Sequence, residues 1–303
     1  MAEPPRISIV IPVHNEQDDV AELTARLQQV LETSYEIIFV DDGSTDETWS
    51  RLVALHEPER IRLVRFRRNF GKTPALMAGF ALTRGDIVFT MDGDLQDDPR
   101  EIPRFLAALD QGYDLVTGWK KTRHDPAHKV VASRLFNGVV RLTTGLSLHD
   151  INCGFKAYRG KLARSLDIYG EQHRFIPVLA AARGYRVGEI EVEHHARLHG
   201  RSKYGFSRLF KGFVDLATVL LITRFAERPS HAFGLAAMVC AAAAALCSAA
   251  ALLLPYSWLM LKAGVLWVGV IVLLAAGWVA EVVLFNAPAT RRRADGLIEE
   301  QLD

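Results

Sequence analysis

The stretch "DIVFTMDGDLQDDP" at residues 86–99 decides how the rest of the chain is read. Its first half is apolar and β-branched, a strand built for burial. Its second half carries Asp92 and Asp94 one residue apart, then Gln96, then an acidic turn with Pro99. Alternate side chains of an extended segment share a face. The spacing therefore predicts Asp92, Asp94 and Gln96 directed at one point. The plainer alternative is a helix-capping turn with solvated acids. An oxygen-only set also suits a hard cation, Mg²⁺ or Mn²⁺, whose remaining ligands come from substrate phosphates.

Outward from this stretch, apolar runs alternate with helical patterns. Strands are predicted at 6–12, 35–44, 60–66, 86–94 and 113–119. Helices are predicted at 16–32, 45–56 and 71–84, with a further helix opening near Pro99. The helix at 45–56 is given Ser44 or Thr45 as N-cap, with Asp46 and Glu47 in its first turn. Alternation of this kind implies an α/β fold, a mostly parallel sheet with helices on both faces. Ligands of such sheets collect at the carboxyl ends of the strands. There the chain places Pro12 to Glu16, Asp41 to Ser44, and Asp92 to Gln96.

The last third is different. Residues 232–254 are 23 uncharged residues, and 263–285 are 23 more with Glu281 as the one acid. About 20 such residues span a bilayer core. Two spans joined by "PYSWLMLK" predict a transmembrane hairpin over 230–286. Arg224 and Arg228 before it, and Arg291 to Arg293 after it, place both ends and the N-terminal domain in the cytosol. Trp258 and Trp267 fall near the outer boundary. Glu281 reads as an interfacial or paired acid. Residues 205–229 mix Phe and Leu with Arg208, Lys211 and Arg224, as an amphipathic helix in the headgroup plane does. The predicted organisation is a catalytic domain over 1–204, the interfacial helix over 205–229, the hairpin, and a basic cytosolic tail over 287–303.

A formal net charge of +1 gives no electrostatic case for nucleic acid. Cys153, Cys240 and Cys247 form no CxxC pair and predict neither a zinc site nor a disulfide framework. The N-terminal "MAEPPRISIVIP" has no basic segment followed by a long apolar one, so no cleaved leader is expected. "FGKTP" (70–74) ends like a phosphate-binding loop, but the glycine required at 66 is Phe66. Lys72 then reads equally as a donor contact or a surface lysine. The basic "RFRRN" (65–69) reads as solvated or close to phosphates. His194, His195 and His199 read as loop histidines.

"SIVIPVHNE", "VDDGSTDET", "RNFGK", "MDGDLQDDP", "DINCGFKAY" and "RLHGRSKYG", in this order, closely resemble family 2 glycosyltransferases of the GT-A (Rossmann-like) fold. More narrowly they resemble the polyisoprenyl-phosphate glycosyltransferases, relatives of dolichyl-phosphate mannose synthase and of the bacterial enzymes that charge undecaprenyl phosphate. The resemblance implies that Pro12, Glu16 and Asp41, with Asp42 beside it, bind the donor nucleoside. It implies that Asp92, Asp94 and Gln96 hold the metal and diphosphate. Asp150 matches the acid near the acceptor, with Cys153 in place of the usual Ser. Arg174 falls near the donor sugar or acceptor phosphate, and Arg201, Ser202 and Lys203 match a loop closing over the diphosphate. Asp94, Asp150, Arg201 and Lys203 are the implied catalytic group. The partners implied are a nucleotide-sugar donor, a polyprenyl phosphate acceptor and the inner membrane.

The alanine run "CAAAAALCSAA" allows close helix packing and so a homo-oligomer. Three other readings stand beside this one: a different lipid acceptor, a growing polysaccharide, and a non-catalytic nucleotide-sugar-binding scaffold. No "QxxRW" motif supports a processive synthase.

Overall fold

The computed structural model describes residues 5–32, 34–121, 127–195, 207–226, 228–254 and 256–286. The apolar runs form one sheet: β1 (Ile7–Val13), β2 (Tyr35–Asp41), β3 (Ile61–Arg65), β4 (Ile87–Thr90), β5 (Leu115–Trp119), β6 (Lys156–Arg159) and β7 (Val187–Glu191). Their order is β3-β2-β1-β4-β6-β5-β7. β1 runs parallel to β2 and β4, β2 to β3, and β5 to β7. The sheet is mostly parallel as expected. β6, which the sequence pattern did not reveal as a strand, is antiparallel to both β4 and β5.

Both faces of the sheet are covered, and β2 shows why. Ile37 and Phe39 enter the larger core with Ile9, Ile11, Phe89, Phe105 and Phe155, while Ile38 and Val40 enter a second core with Ala75. Successive side chains point to opposite faces, so a continuous apolar run is what a doubly covered strand requires. The helices of this unit are α1 (Val20–Val30), α2 (Thr48–Ala54), α3 (Lys72–Leu82), α4 (Ile102–Asp110), α5 (Ala127–Thr144), α6 (Gly160–Ser165) and α7 (Ile176–Ala182), followed by α8 (Ser207–Arg224).

Two expected boundaries move, for one physical reason: short polar side chains take backbone N–H groups and end the regular ladder. β4 stops at Thr90 rather than Asp94. The Asp97 carboxylate accepts from Asp92 N at 3.4 Å, Asp94 accepts from Gln96 N at 3.3 Å, and Leu95 turns left-handed at φ 59°. The helix expected at 45 starts at Thr48. Asp46 accepts from both Thr48 N and Thr48 Oγ1, while Asn15 takes Thr45 N.

The chain divides into two compact units, Met1–Leu216 and Ala217–Asp303, with the division inside α8. The second unit holds α9 (Pro229–Leu253) and α10 (Ser257–Phe285). Both are long and apolar enough to cross a membrane, with mean hydropathy 2.2 and 2.3. Ser230 faces Glu281, Phe233 faces Gly277, and Cys240 faces Gly269 and Leu266, so the pair is an antiparallel hairpin. The connection is shorter than expected: "SWLMLK" is helical, because these residues favour a helix and no Gly or Pro follows Pro255 until Gly264.

At the amino end of the sheet, Glu36 of β2 is fully buried and takes bonds from Ser8 Oγ at 2.7 Å, Arg62 Nη1 at 3.1 Å, and Arg84 N and Nε at 2.8 and 3.0 Å. Burial alone would raise its pKa. The bonds from Ser8, Arg84 and Arg62 outweigh it and hold the carboxyl below its ordinary value. A depressed folded-state pKa gives stability that is complete above the unfolded value of about 4.3. That stability is lost as pH falls through the lower folded value. Glu36→Gln should destabilise the chain by about 2 kcal/mol at pH 7. Thermal melts of the detergent-purified protein at pH 7 and pH 4 should show the gap between variant and wild type narrowing in acid.

Candidate active site

Three loops at the carboxyl ends of β1, β2 and β4 build the site, and backbone N–H groups lace them together. The loop after β1 turns at Asn15, left-handed at φ 56°. Asn15 N donates to Ser44 Oγ at 3.0 Å, and Glu16 N donates to Thr48 Oγ1 at 2.9 Å. In the loop after β2, Gly43 has φ 68°, and a Cβ there would lie 2.3 Å from the carbonyl carbon of Arg68. The glycine of "DDGS" is thus required twice, for its backbone angle and for the strand of chain passing over it.

The two acids of this loop divide the work. Asp41 is buried, accepts from Ser44 N at 2.9 Å, and lies 3.3 Å from Arg65 Nε. Asp42 accepts from Phe70 N at 2.7 Å and Gly71 N at 2.9 Å. It therefore fixes the entry of α3, whose first residue is Lys72. Beside these loops lies an open cavity of about 690 Å³, lined by His14, Gly43 to Thr45 and Arg65 to Asn69. The basic cluster expected to be solvated or near phosphates borders this cavity.

Asp92, the first of the two alternate acids, lies against Gly154. A Cβ on that glycine would come within 2.6 Å of Asp92 Oδ2. Lys72 forms an ion pair with Asp92 Oδ1. Burial would raise the Asp92 pKa, but Lys72, Lys120 and Lys156 hold it well below the usual carboxylate range. Asp94 is buried at 6% exposure. Since residues 93–95 bend, the two acids are not brought together by an extended strand, as their spacing suggested. The loop conformation sets them instead. Gln96 places Nε2 3.3 Å from the His195 carbonyl and 3.4 Å from His194 Nε2. Two carboxylates at a strand's end, one seated in a cradle that any side chain would fill, fit a hard divalent ion.

Two further lysines lie close to Asp92. Lys120 bonds Asp97 at 2.8 Å, the two side chains 13% and 0% exposed. Burial opposes its charge, yet Asp97 overcomes this and holds its pKa above the ordinary lysine value. Lys156 on β6 reaches the Cys153 carbonyl, and burial brings its pKa down to about 8. The Cys153 thiol is pushed up to about 12 by burial and stays protonated.

Asp150 is buried at 1% exposure in a loop tied on three sides. Asn137 donates to the His149 carbonyl at 2.7 Å, His149 N donates to Glu189 at 2.8 Å, and the His149 ring stacks on Trp119 at 4.2 Å. Arg174 is buried and paired with Glu171. Its neighbour His173 bonds Thr73 Oγ1 at 2.8 Å, which ties this segment to the start of α3. Burial, then Lys72, pushes His173 down to about 2, so the ring is neutral. Arg201, Ser202, Lys203 and His199 lie outside the described residues. Asp98, Glu193 and His195 also approach one another closely enough to hold a cation, but Arg100 already grips both oxygens of Asp98.

A family model for glycosyl transferase family 2 matches residues 8–166. Dodecaprenyl-phosphate galacturonate synthase of Rhizobium johnstonii is 40% identical over 237 residues, 75% of this chain and 70% of that protein. The chain belongs to glycosyl transferase family 2. Undecaprenyl-phosphate 4-deoxy-4-formamido-L-arabinose transferase of Edwardsiella ictaluri is 42% identical over 222 residues, 72% of this chain and 68% of that protein. The fold is shared with glucosyl-3-phosphoglycerate synthase from Mycobacterium tuberculosis, solved with Mn²⁺, UDP-glucose and phosphoglyceric acid. The TM-score is 0.56 at 22% identity, over 72% of this chain and 79% of that one.

The match to family 2 runs from β1 into α6 and includes every loop described above up to Asp150 and Gly154. Sequence reasoning did not single out Lys120, Lys156 or Gly154. A lysine within an apolar stretch was the available signal for Lys156, but only the antiparallel pairing of Thr90 with Lys156 places it beside the acids. Gly154→Ala should leave the melting temperature nearly unchanged, because the clashing atoms are the free end of a side chain. It should weaken Mn²⁺ binding, measured by titration calorimetry, by displacing the Asp92 carboxylate.

Proposed function

We propose that the protein is an inverting glycosyltransferase that moves a sugar from a nucleotide-sugar donor to a polyprenyl phosphate at the cytosolic face of the inner membrane. The observation that carries this is the 40–42% identity, across 72–75% of the chain, to enzymes named for transfer to dodecaprenyl and undecaprenyl phosphate. Undecaprenyl phosphate is the acceptor we assign. Two helices of membrane-spanning length, with apolar faces such as Leu246, Leu252, Val268 and Ile271 turned outward, suit an enzyme whose acceptor never leaves the lipid. We assign the catalytic domain to 1–204, the interfacial helix to 205–229, the membrane hairpin to 230–286 and the tail to 287–303.

We assign the nucleoside to the cavity near Pro12, Glu16, Asp41 and Asp42; the carboxylates of Asp41 and Asp42 hold the loops that shape it. Asp92 and Asp94, with Gln96, would hold a divalent ion, Mg²⁺ or Mn²⁺. When bound, the ion supplies neutralisation of the leaving nucleoside diphosphate. Arg201, Ser202 and Lys203 are assigned to the same diphosphate, where negative charge grows as the bond breaks. An oxygen of the lipid phosphate forms the new bond to the anomeric carbon from the opposite side, and the nucleoside diphosphate departs with the bonding pair. The phosphate is already an anion at neutral pH and needs no strong base. Asp150, held rigidly by its loop, then orients the acceptor, and Arg174 lies on the side of the sugar or the acceptor phosphate.

Membranes carrying the protein, given radiolabelled nucleotide sugars and undecaprenyl phosphate, should yield an acid-labile glycolipid. Asp94→Ala should lower its formation by on the order of 10²- to 10³-fold. Label in a long polymer or an alkali-labile lipid would redirect the acceptor, and donor binding without turnover in the wild type would leave a scaffold.

A further inference from the structure

Around Asp92, three lysines differ in what holds them. Lys120 is locked to the buried Asp97, and Lys156 is buried on β6 against the Cys153 carbonyl. Lys72 is the exception, 30% exposed and rooted at the first residue of α3. Its backbone is fixed from both sides, by Asp42 on Phe70 and Gly71 and by the bond from Thr73 to His173. From this fixed backbone the four-carbon stem carries its ammonium to Asp92.

The charges explain why it rests there. Asp92, Asp97 and Asp150 face Lys72, Lys120 and Lys156, and Asp94 follows two residues after Asp92. Among these described side chains, four carboxylates against three ammoniums leave one net negative charge. Without Lys72 the cluster would carry two in a largely buried place, which is costly. A divalent ion in place of Lys72 brings the sum to zero.

We propose that Lys72 is a resident counter-ion of Asp92, which a divalent cation displaces as it binds. This rests on Asp92 and Asp94 being the ligands of the ion. Lys72 keeps the acids ordered before the ion arrives, and it sets a threshold on metal affinity, since each ion bound must break the pair. The displaced ammonium remains at the N-terminus of α3, in front of the anion that the ion recruits.

The test measures Mn²⁺ alone, by electron paramagnetic resonance of the full chain in detergent without nucleotide. Lys72→Met should bind Mn²⁺ about three- to fivefold more tightly than wild type, and Lys72→Arg, which keeps the charge, should stay close to wild type. Equal or weaker binding by Lys72→Met overturns the displacement. Asp94→Asn separates this from the site itself. If the wild type binds Mn²⁺ and Asp94→Asn does not, the site stands whatever Lys72 does. Wild type and Asp94→Asn binding alike would remove the site, and the displacement with it.

Discussion

The carboxylate of Asp92 lying on the bare backbone of Gly154 is the contact from which the rest of the site is arranged. It brings an anion to within van der Waals distance of the main chain, in a place already crowded with charge. A lone anion there is disfavoured by burial. It persists because lysines from three different elements converge on it: Lys72 from α3, Lys120 after β5 and Lys156 on β6. The sheet order makes this convergence. β6 lies between β4 and β5, so the ends of β4, β5 and the loop before β6 meet at one edge.

That edge also explains two glycines that look like ordinary turn residues. Gly93 between the two acids has no room for a side chain, since a Cβ would meet Val13 Cγ1 at 2.7 Å. Gly118 on β5 is likewise closed off, by Val192 at 2.9 Å and Cys153 Sγ at 3.1 Å. Tight packing at Gly93 closes the site on its apolar side, and on the other Lys72 pairs with Asp92.

Strands β1 to β5 were legible because their apolar runs are continuous, as a doubly covered sheet requires. β6 was not, since "KAYR" begins with a lysine whose burial depends entirely on partners far away in the chain. The acidic turn was legible as a site, but for a reason the structure replaces. Spacing suggested an extended strand, whereas Asp94 and Asp97 use their carboxylates to fold the segment on itself. Asp42 shows the same limit. Its neighbour Asp41 and the "DDGS" context marked it for ligand binding, yet its two oxygens hold the backbone of Phe70 and Gly71. Composition reveals that acids gather at strand ends; which of them face a ligand and which brace a loop depends on long-range contacts that no local pattern encodes.

The hairpin obeys the same logic in a different solvent. An acid within an apolar span ordinarily marks a pathway or a binding site, but Glu281 accepts from Ser230 N at 3.1 Å, in the first turn of the opposite helix. That N–H has no intrahelical partner and carries the positive end of the helix dipole. One carboxylate therefore satisfies a group that lipid cannot. Farther along, Phe233 meets Gly277 and Cys240 meets Gly269, and the buried Ala237 and Ala244 continue the stripe at helical spacing. Small residues let the two helices approach closely where lipid gives no hydrophobic drive for association. This stripe takes Ala237 and Ala244 into the hairpin itself. What remains outside is mostly Leu, Val and Ile, an apolar surface of membrane-spanning length.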